Sequence, residues 1–209
     1  MLWFLMGCAH LGIPMPGKIR AFEKWSPPSF EQPRAIQSEE GRLDEVGQRI
    51  SDIALSLRGQ TALSVNGDSI RYDCSGFVLA TYALADVKIT GNTRAMFEFA
   101  EQRSLFVETP TLGDLVFFDN TYDRNKNKRL DDALTHVAIV ADIESDGTVQ
   151  MVHLGGSGIT DLTMNLNHPT EHTSSTGKVW NSYLRLNRKG ESSPRLTGQL
   201  FRAFATFSS

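Results

Sequence analysis

Asp73-Cys74-Ser75-Gly76-Phe77 is the stretch of this sequence richest in chemistry. Asp73 is a good helix N-cap, and an apolar helical pattern (Phe77, Val78, Ala80, Tyr82, Ala83) starts directly behind it. Cys74 is therefore expected in the first turn of a helix. There the free N–H groups and the dipole favour the thiolate and lower the cysteine pKa from its usual ~8.5. A thiolate is a competent nucleophile, although the same cysteine also reads as a small buried residue. Two histidines stand where a partner is needed. His136 opens the apolar segment Val137-Ala138-Ile139-Val140, and His153 closes the segment Val149-Gln150-Met151-Val152. If these segments pair as a hairpin, the start of one lies beside the end of the other. His136 can then act as the base for Cys74, with His153 fixing the tautomer and orientation of its ring. Without that pairing they are two ordinary strand-end histidines. Backbone N–H groups at the helix start, that of Cys74 included, are suited to an oxyanion, with Asp73 and Ser75 as supporting residues.

The elements that must position these residues are legible in outline. Leu43, Val46, Ile50, Ile53, Ala54 and Leu57 recur at three- and four-residue steps, which predicts an amphipathic helix over 43–57 ended by Gly59. Asn66-Gly67 is a turn signal and Ile70-Arg71-Tyr72 a short extended approach to the helix at Cys74; residues 93–103 suit a third helix. After Gly113 the period changes. Leu115–Phe118, His136–Ala141, Thr148–Leu154 and Trp180–Leu186 are short and rich in β-branched and aromatic residues, and Leu200–Phe207 reads as a closing strand. Helices first and antiparallel strands afterwards predict an α+β domain.

Four of these segments also resemble, in order, the motifs of the NlpC family of papain-like cysteine peptidases, relatives of the CHAP group that act on bacterial cell-wall peptides. Asp73-Cys74-Ser75-Gly76-Phe77 is similar to that family's nucleophile motif, and Gly113-Asp114-Leu115-Val116-Phe117-Phe118 to its turn and strand before the catalytic histidine. His136-Val137-Ala138-Ile139-Val140 resembles the histidine strand, and Val152-His153 the third polar residue. The resemblance covers about residues 42–154, with 155–207 suited to the remaining strands. It implies a papain-like NlpC fold, with N-terminal helices packed on an antiparallel β-sheet, in a domain spanning 42–209. It also implies a thiol protease whose catalytic residues are Cys74, His136 and His153, acting as a monomer on peptidoglycan stem peptides in the cell envelope without a required cofactor. An amidase or acyltransferase on the same scaffold, or a non-catalytic cell-wall binding module, are the other readings. One departure bears on specificity: where many members carry Pro-Tyr and Trp-Gly-Gly before the cysteine, this chain has Gln60-Thr61-Ala62-Leu63-Ser64-Val65-Asn66-Gly67, and no tyrosine until Tyr72.

The segment 119–135 is longer than a tight connection before the histidine strand. Its Asp123, Asn125, Asn127 and Asp131 occupy the first, third, fifth and ninth positions of a pattern that resembles an EF-hand calcium loop. Lys128 stands where such a loop has its turn glycine and Leu134 where it has a bidentate acid, and Arg124, Lys126 and Lys128 add positive charge. The expected reading is a solvated polar loop; a structural calcium, if bound, would brace the approach to His136. His168-Pro169-Thr170-Glu171-His172 is a poor helical metal pair because of its proline. Gly155-Gly156-Ser157-Gly158 lacks the lysine of a phosphate loop and reads as a loop bordering a cleft.

Composition narrows the field. A net charge of −3 from 21 Lys+Arg against 24 Asp+Glu offers no basic footprint for nucleic acid. Two cysteines in unlike settings, Cys8 and Cys74, do not make a disulfide scaffold. No apolar run approaches the ~20 residues that cross a bilayer. Near the start, Leu5-Met6-Gly7-Cys8 resembles the lipobox of bacterial lipoproteins, which would make Cys8 a lipidated membrane attachment with the export segment truncated. The alternative is a greasy tail with an incidental cysteine. Residues 14–41, with Pro14, Pro16, Pro27, Pro28 and Pro33, suit an extended tether, so 1–41 is expected to be an export and tether segment.

Overall fold

The computed structural model describes residues 39–185 and 193–207. The lipobox-like Cys8 and residues 14–38 of the expected tether lie outside them, while its last three residues, 39–41, belong to the first helix. Chain order is α1 (Glu39–Ser56), β1 (Leu63–Val65), β2 (Asp68–Ile70), α2 (Cys74–Leu84), α3 (Thr93–Arg103), β3 (Phe106–Val107), β4 (Leu115–Phe118), β5 (His136–Ile143), β6 (Val149–Gly155), β7 (Gly158–Met164), α4 (Thr197–Leu200) and β8 (Phe201–Ala205). The fold is α+β. The three long helices precede nearly all of a six-stranded sheet of order β3-β8-β4-β5-β6-β7, every pairing antiparallel.

Strand alternation splits the apolar residues between the two sheet faces. Leu115, Phe117, Val137, Ile139, Val152 and Leu154 point toward α1, α2 and α3, meeting Ile50, Ala54, Phe77, Val78 and Met96. Val116, Phe118, Ala138, Val140, Met151, Leu162 and Met164 form a second layer under Leu200 and Phe204. Burying a large side chain such as Phe77 or Phe117 on these faces stabilises by about 2–3 kcal/mol each. The Asn66-Gly67 turn closes β1 onto β2, both residues having positive φ (53° and 89°), as a two-residue primed hairpin requires.

The strand expected over Trp180–Leu186 does not form across 180–185, and Leu186 lies outside the described residues. Residue 182 touches the edge of β7 through Ser182 N–H to the Thr163 carbonyl, after which the chain turns away, and Leu184 N–H bonds the Arg195 carbonyl. Only an isolated bridge, Tyr183 with Leu196, survives there. The sheet's outer strand is instead β7, which returns from β6 through Gly156-Ser157 with Gly155 opposite Gly158.

Candidate active site

Asp73 caps α2 from an extended conformation (φ −141°, ψ 172°). Its Oδ1 accepts the Gly76 N–H at 2.7 Å and the Ser75 hydroxyl at 2.8 Å. Arg71 reaches across the same turn. Its guanidinium lies 3.1 Å from Asp73, donates to Ser75 Oγ at 2.8 Å and ties both to the Gly91 carbonyl at 2.6 Å. Burial works against the Asp73 carboxylate, yet the Gly76 amide, the Ser75 hydroxyl and the Arg71 charge hold its pKa below the usual value. The first turn packs so closely on Arg71 that a Cβ at Gly76 would lie 1.9 Å from the Arg71 carbonyl oxygen, so that residue of the motif must be glycine. Asp73 and Ser75 thus serve to hold the helix start in place.

Cys74 is a free, half-buried thiol at that start. Its sulfur lies 3.8 Å from Thr93 Oγ1 on α3 and takes hydrogen bonds from the Val137 and Ser75 amides. The Val137 amide sets the sulfur against the residue that follows His136. The expected lowering of the thiol pKa does not hold in this state. Burial pushes it up, and the Asp73 charge adds to that, outweighing the hydrogen bonds from Thr93, Val137 and Ser75. The helix start supplies its amides, but the overlying α3 and β5 remove the water that would solvate a thiolate.

Strands β5 and β6 pair antiparallel, with Ile139 opposite Val152, as the hairpin reading required. His136 Nε2 and His153 Nδ1 are 2.8 Å apart, their rings crossing at 79°, and both side chains are more than nine-tenths buried. With Nε2 engaged, Nδ1 is the His136 nitrogen left for a thiol proton. Burial, followed by the neighbouring His153 charge, pulls His136 down to about 3; burial pulls His153 to about 4 against the opposing Asp161 carboxylate. The substrate-free site therefore holds a neutral thiol and two neutral imidazoles. A cleft of about 820 Å³ opens beside the pair, lined by both histidines together with Tyr122, Ser157, Thr160 and Tyr183. Cys74 stands outside this lining, so the cleft serves the histidine side of the site. The glycine-rich 155–158 stretch borders it, as expected.

The 123–131 loop is drawn together by its own backbone. Asp123 accepts the Asn127 and Lys128 amides, Asn125 accepts the Asn127 amide, and Asn127 accepts the Arg129 amide while donating to Asp131. Arg129 pairs with Asp131 at 3.1 Å. Lys128 takes the left-handed conformation (φ 68°) of the glycine it replaces, and Leu134 is buried in the core. Among the described residues no three His, Cys, Asp or Glu side chains are grouped to hold a metal ion. Residues 168–172 bring His168 and Glu171 together at 3.2 Å, with the His168 ring stacked on Trp180.

Sequence reasoning missed Arg71, Thr93 and Thr160 around the site. Thr160 Oγ1 lies 3.3 Å from His153 Nε2, on the strand that went unrecognised. The signal was present: Leu154 and Ile159 flank a Gly-rich segment of hairpin length.

A family model described as NlpC/P60 matches residues 58–185. No curated protein matches this chain. Among solved structures, a protein described as similar to lipoprotein, NLP/P60 family, from Staphylococcus aureus subsp. aureus Mu50 is 27% identical, with 56% of this chain and 36% of that one covered at a TM-score of 0.39. The present chain thus spans little more than a third of that protein. Matched over more than half its length, with Cys74, His136 and His153 all inside the matched range, the chain belongs to the NlpC/P60 family.

Proposed function

We propose that the protein is a cysteine endopeptidase that hydrolyses amide bonds in peptidoglycan stem peptides, with Cys74 as nucleophile, His136 as base and His153 as orienter. The observation that carries this reading is the 2.8 Å contact between His136 Nε2 and His153 Nδ1, beside a cysteine at the start of α2. As the Cys74 sulfur attacks the scissile carbonyl, its proton passes to His136 Nδ1. The Cys74 amide and its neighbours at the helix start stabilise the oxyanion. His136 then returns the proton to the leaving amine, and the C–N bond breaks to give a thioacyl-enzyme. Water, deprotonated by His136, releases the acid and restores the thiol. No step requires a metal. Because the resting thiol is neutral, proton transfer accompanies attack.

The substrate lies in the cell envelope, and that is where the protein acts, as a monomer, with Cys8 as the residue that would attach it to a membrane. Tyr72 supports an altered substrate entrance. Its hydroxyl donates to the Gln60 carbonyl and so braces the loop that replaces the family's Pro-Tyr and Trp-Gly-Gly segment. On the same scaffold, interception of the thioacyl-enzyme by an amine gives an acyltransferase. The raised Cys74 pKa favours a second reading, a non-catalytic cell-wall binding module whose cysteine stays a thiol.

Mass spectrometry of fragments released from purified peptidoglycan by the full chain, beside Cys74→Ala, tests these readings. Cys74-dependent peptide fragments are expected and identify the bond. Equal release by Cys74→Ala overturns the assignment. Adducts carrying the added amine indicate the transferase, and peptidoglycan binding without release indicates the binding module.

A further inference from the structure

His136 Nδ1 can accept the Cys74 proton only if its other nitrogen, Nε2, carries the ring proton. That proton then points at His153 Nδ1, 2.8 Å away, which must be an acceptor. A neutral His153 that accepts at Nδ1 carries its own proton on Nε2, and this N–H needs an acceptor of its own. The atom within reach is Thr160 Oγ1, at 3.3 Å. The opposite setting is unproductive. With the proton on His153 Nδ1, His136 Nε2 becomes the acceptor, Nδ1 carries the hydrogen, and no lone pair faces the thiol.

Resting on the peptidase reading above, we infer that Thr160 is a positioning residue of this site: its hydroxyl accepts the His153 Nε2–H and so selects the tautomer of both imidazoles that leaves His136 Nδ1 free for Cys74. Three further observations carry the assignment. Thr160 is the direct cross-strand partner of His153 in the β6–β7 ladder, so the backbone fixes their approach. The His153 ring packs closely on Gly155, where a Cβ would come within 2.6 Å of its Cε1, leaving the ring little freedom to turn away from Thr160. Thr160 also lines the 820 Å³ cleft, where solvent can take the hydroxyl's own proton, so its oxygen is available to accept. Asp161, the next residue along β7, favours protonation of the His153 ring, although Arg58 shares its carboxylate at 3.0 Å.

Nitrogen-15 NMR of the histidine rings in the full, substrate-free chain separates protonated from bare ring nitrogens and reads the tautomer directly. His153 is expected to be protonated at Nε2 and bare at Nδ1. Thr160→Val, which keeps the shape and removes the hydroxyl, is expected to mix the two tautomers. It should slow Cys74 alkylation at neutral pH and lower kcat about tenfold with KM unchanged, the scale of one lost orienting hydrogen bond. Thr160→Ser restores the hydroxyl and should stay within about twofold of wild type. His153 protonated at Nδ1 in the wild type overturns the inference, as does a Thr160→Val protein with wild-type tautomer and alkylation rate. A Thr160→Ser protein as impaired as Thr160→Val would assign the effect to packing instead. The NMR readout needs no substrate. If peptidoglycan is not cleaved yet Thr160 still sets the tautomer, the peptidase reading fails and the positioning role stands.

Discussion

On either side of the turn into β5 lie two groups of polar residues that a sequence reader would single out for the same reason, their spacing. One is the pair His136 and His153; the other is Asp123, Asn125, Asn127 and Asp131. The histidines are 17 residues apart, meet through the pairing of two strands and are almost wholly buried. Their burial has a chemical consequence, since both imidazoles are driven toward the neutral form that a base requires. The loop residues find their partners within five positions, mostly backbone amides, and three of the four are exposed. That group satisfies itself locally, as Asx-rich turns do. Spacing alone does not distinguish the two patterns. What separates them is whether the fold delivers the groups from distant segments into a dry place.

Cutting the distant pair should therefore have the largest effect on turnover. His136→Ala is expected to reduce kcat/KM on isolated stem peptides by at least about a thousandfold, near the Cys74→Ala level, because His136 is the base proposed for the thiol. His153→Ala removes the proposed orienter and should retain roughly a hundredfold more activity than His136→Ala. Equal residual rates for the two would mean that His153 takes part directly in proton transfer or that neither histidine does.

A subtler cut leaves both rings in place. Gly155→Ala would put a Cβ within 2.6 Å of the His153 ring, which must swing aside. A displacement near 1 Å costs up to about a hundredfold in rate, so kcat/KM should fall by tenfold or more. Gly156, one residue on, has open space where a Cβ would go. Gly156→Ala should match the wild type, and circular dichroism should show both variants folded. If both alanines act alike, the hairpin turn and not the ring position is being tested.

The histidine pair also makes stability depend on pH, and the sign follows from the direction of the shifts. Both folded-state values lie below the ordinary 6.5, at about 3 and about 4, so between those limits the unfolded chain binds more protons. Stability from the neutral pair is fully present above about pH 6.5 and is lost as pH falls toward 4 and 3. Buried Asp114, whose pKa burial raises, works in the opposite direction over its own range. Tm is expected to drop between pH 7 and pH 5, and to drop less in His153→Gln. An equal drop in both proteins would assign the acid sensitivity to groups outside the pair.

These differences mirror what could be read in the sequence. α3 (Thr93–Arg103) and β4 (Leu115–Phe118) match the expected bounds, and the cap, cysteine and histidines were legible because each stands at the edge of a strongly patterned element. β7 was not legible. Its Gly158, Thr160 and Asp161 interrupt the apolar alternation, and as the sheet's outer strand it needs only Ile159, Leu162 and Met164 buried. Trp180–Leu186 misled for the converse reason: strand-like residues there are used to stack Trp180 on His168 and to set Tyr183 beside Arg195, not to pair. The raised thiol pKa was hidden as well, because α3 lies over Cys74 only through tertiary packing.

The loop should be the most forgiving place to cut. Asp131→Ala removes the Asn127 Nδ2 contact and the exposed pair with Arg129. Exposed pairs contribute at most about 1 kcal/mol, so Tm should move by only a few degrees and kcat/KM by less than about twofold. The same reasoning extends to calcium. Lys128 brings a cation to the point where such loops have glycine, and the twelfth-position residue, Leu134, is committed to the core. Millimolar calcium or a chelator should leave Tm and turnover unchanged. A calcium-dependent rise in Tm that disappears in Asp123→Ala would reverse the comparison, because the loop would then be a second assembled site whose missing partner is the ion. In that case Asp131→Ala should slow turnover through His136, which follows the loop by five residues, and the twofold limit would be exceeded.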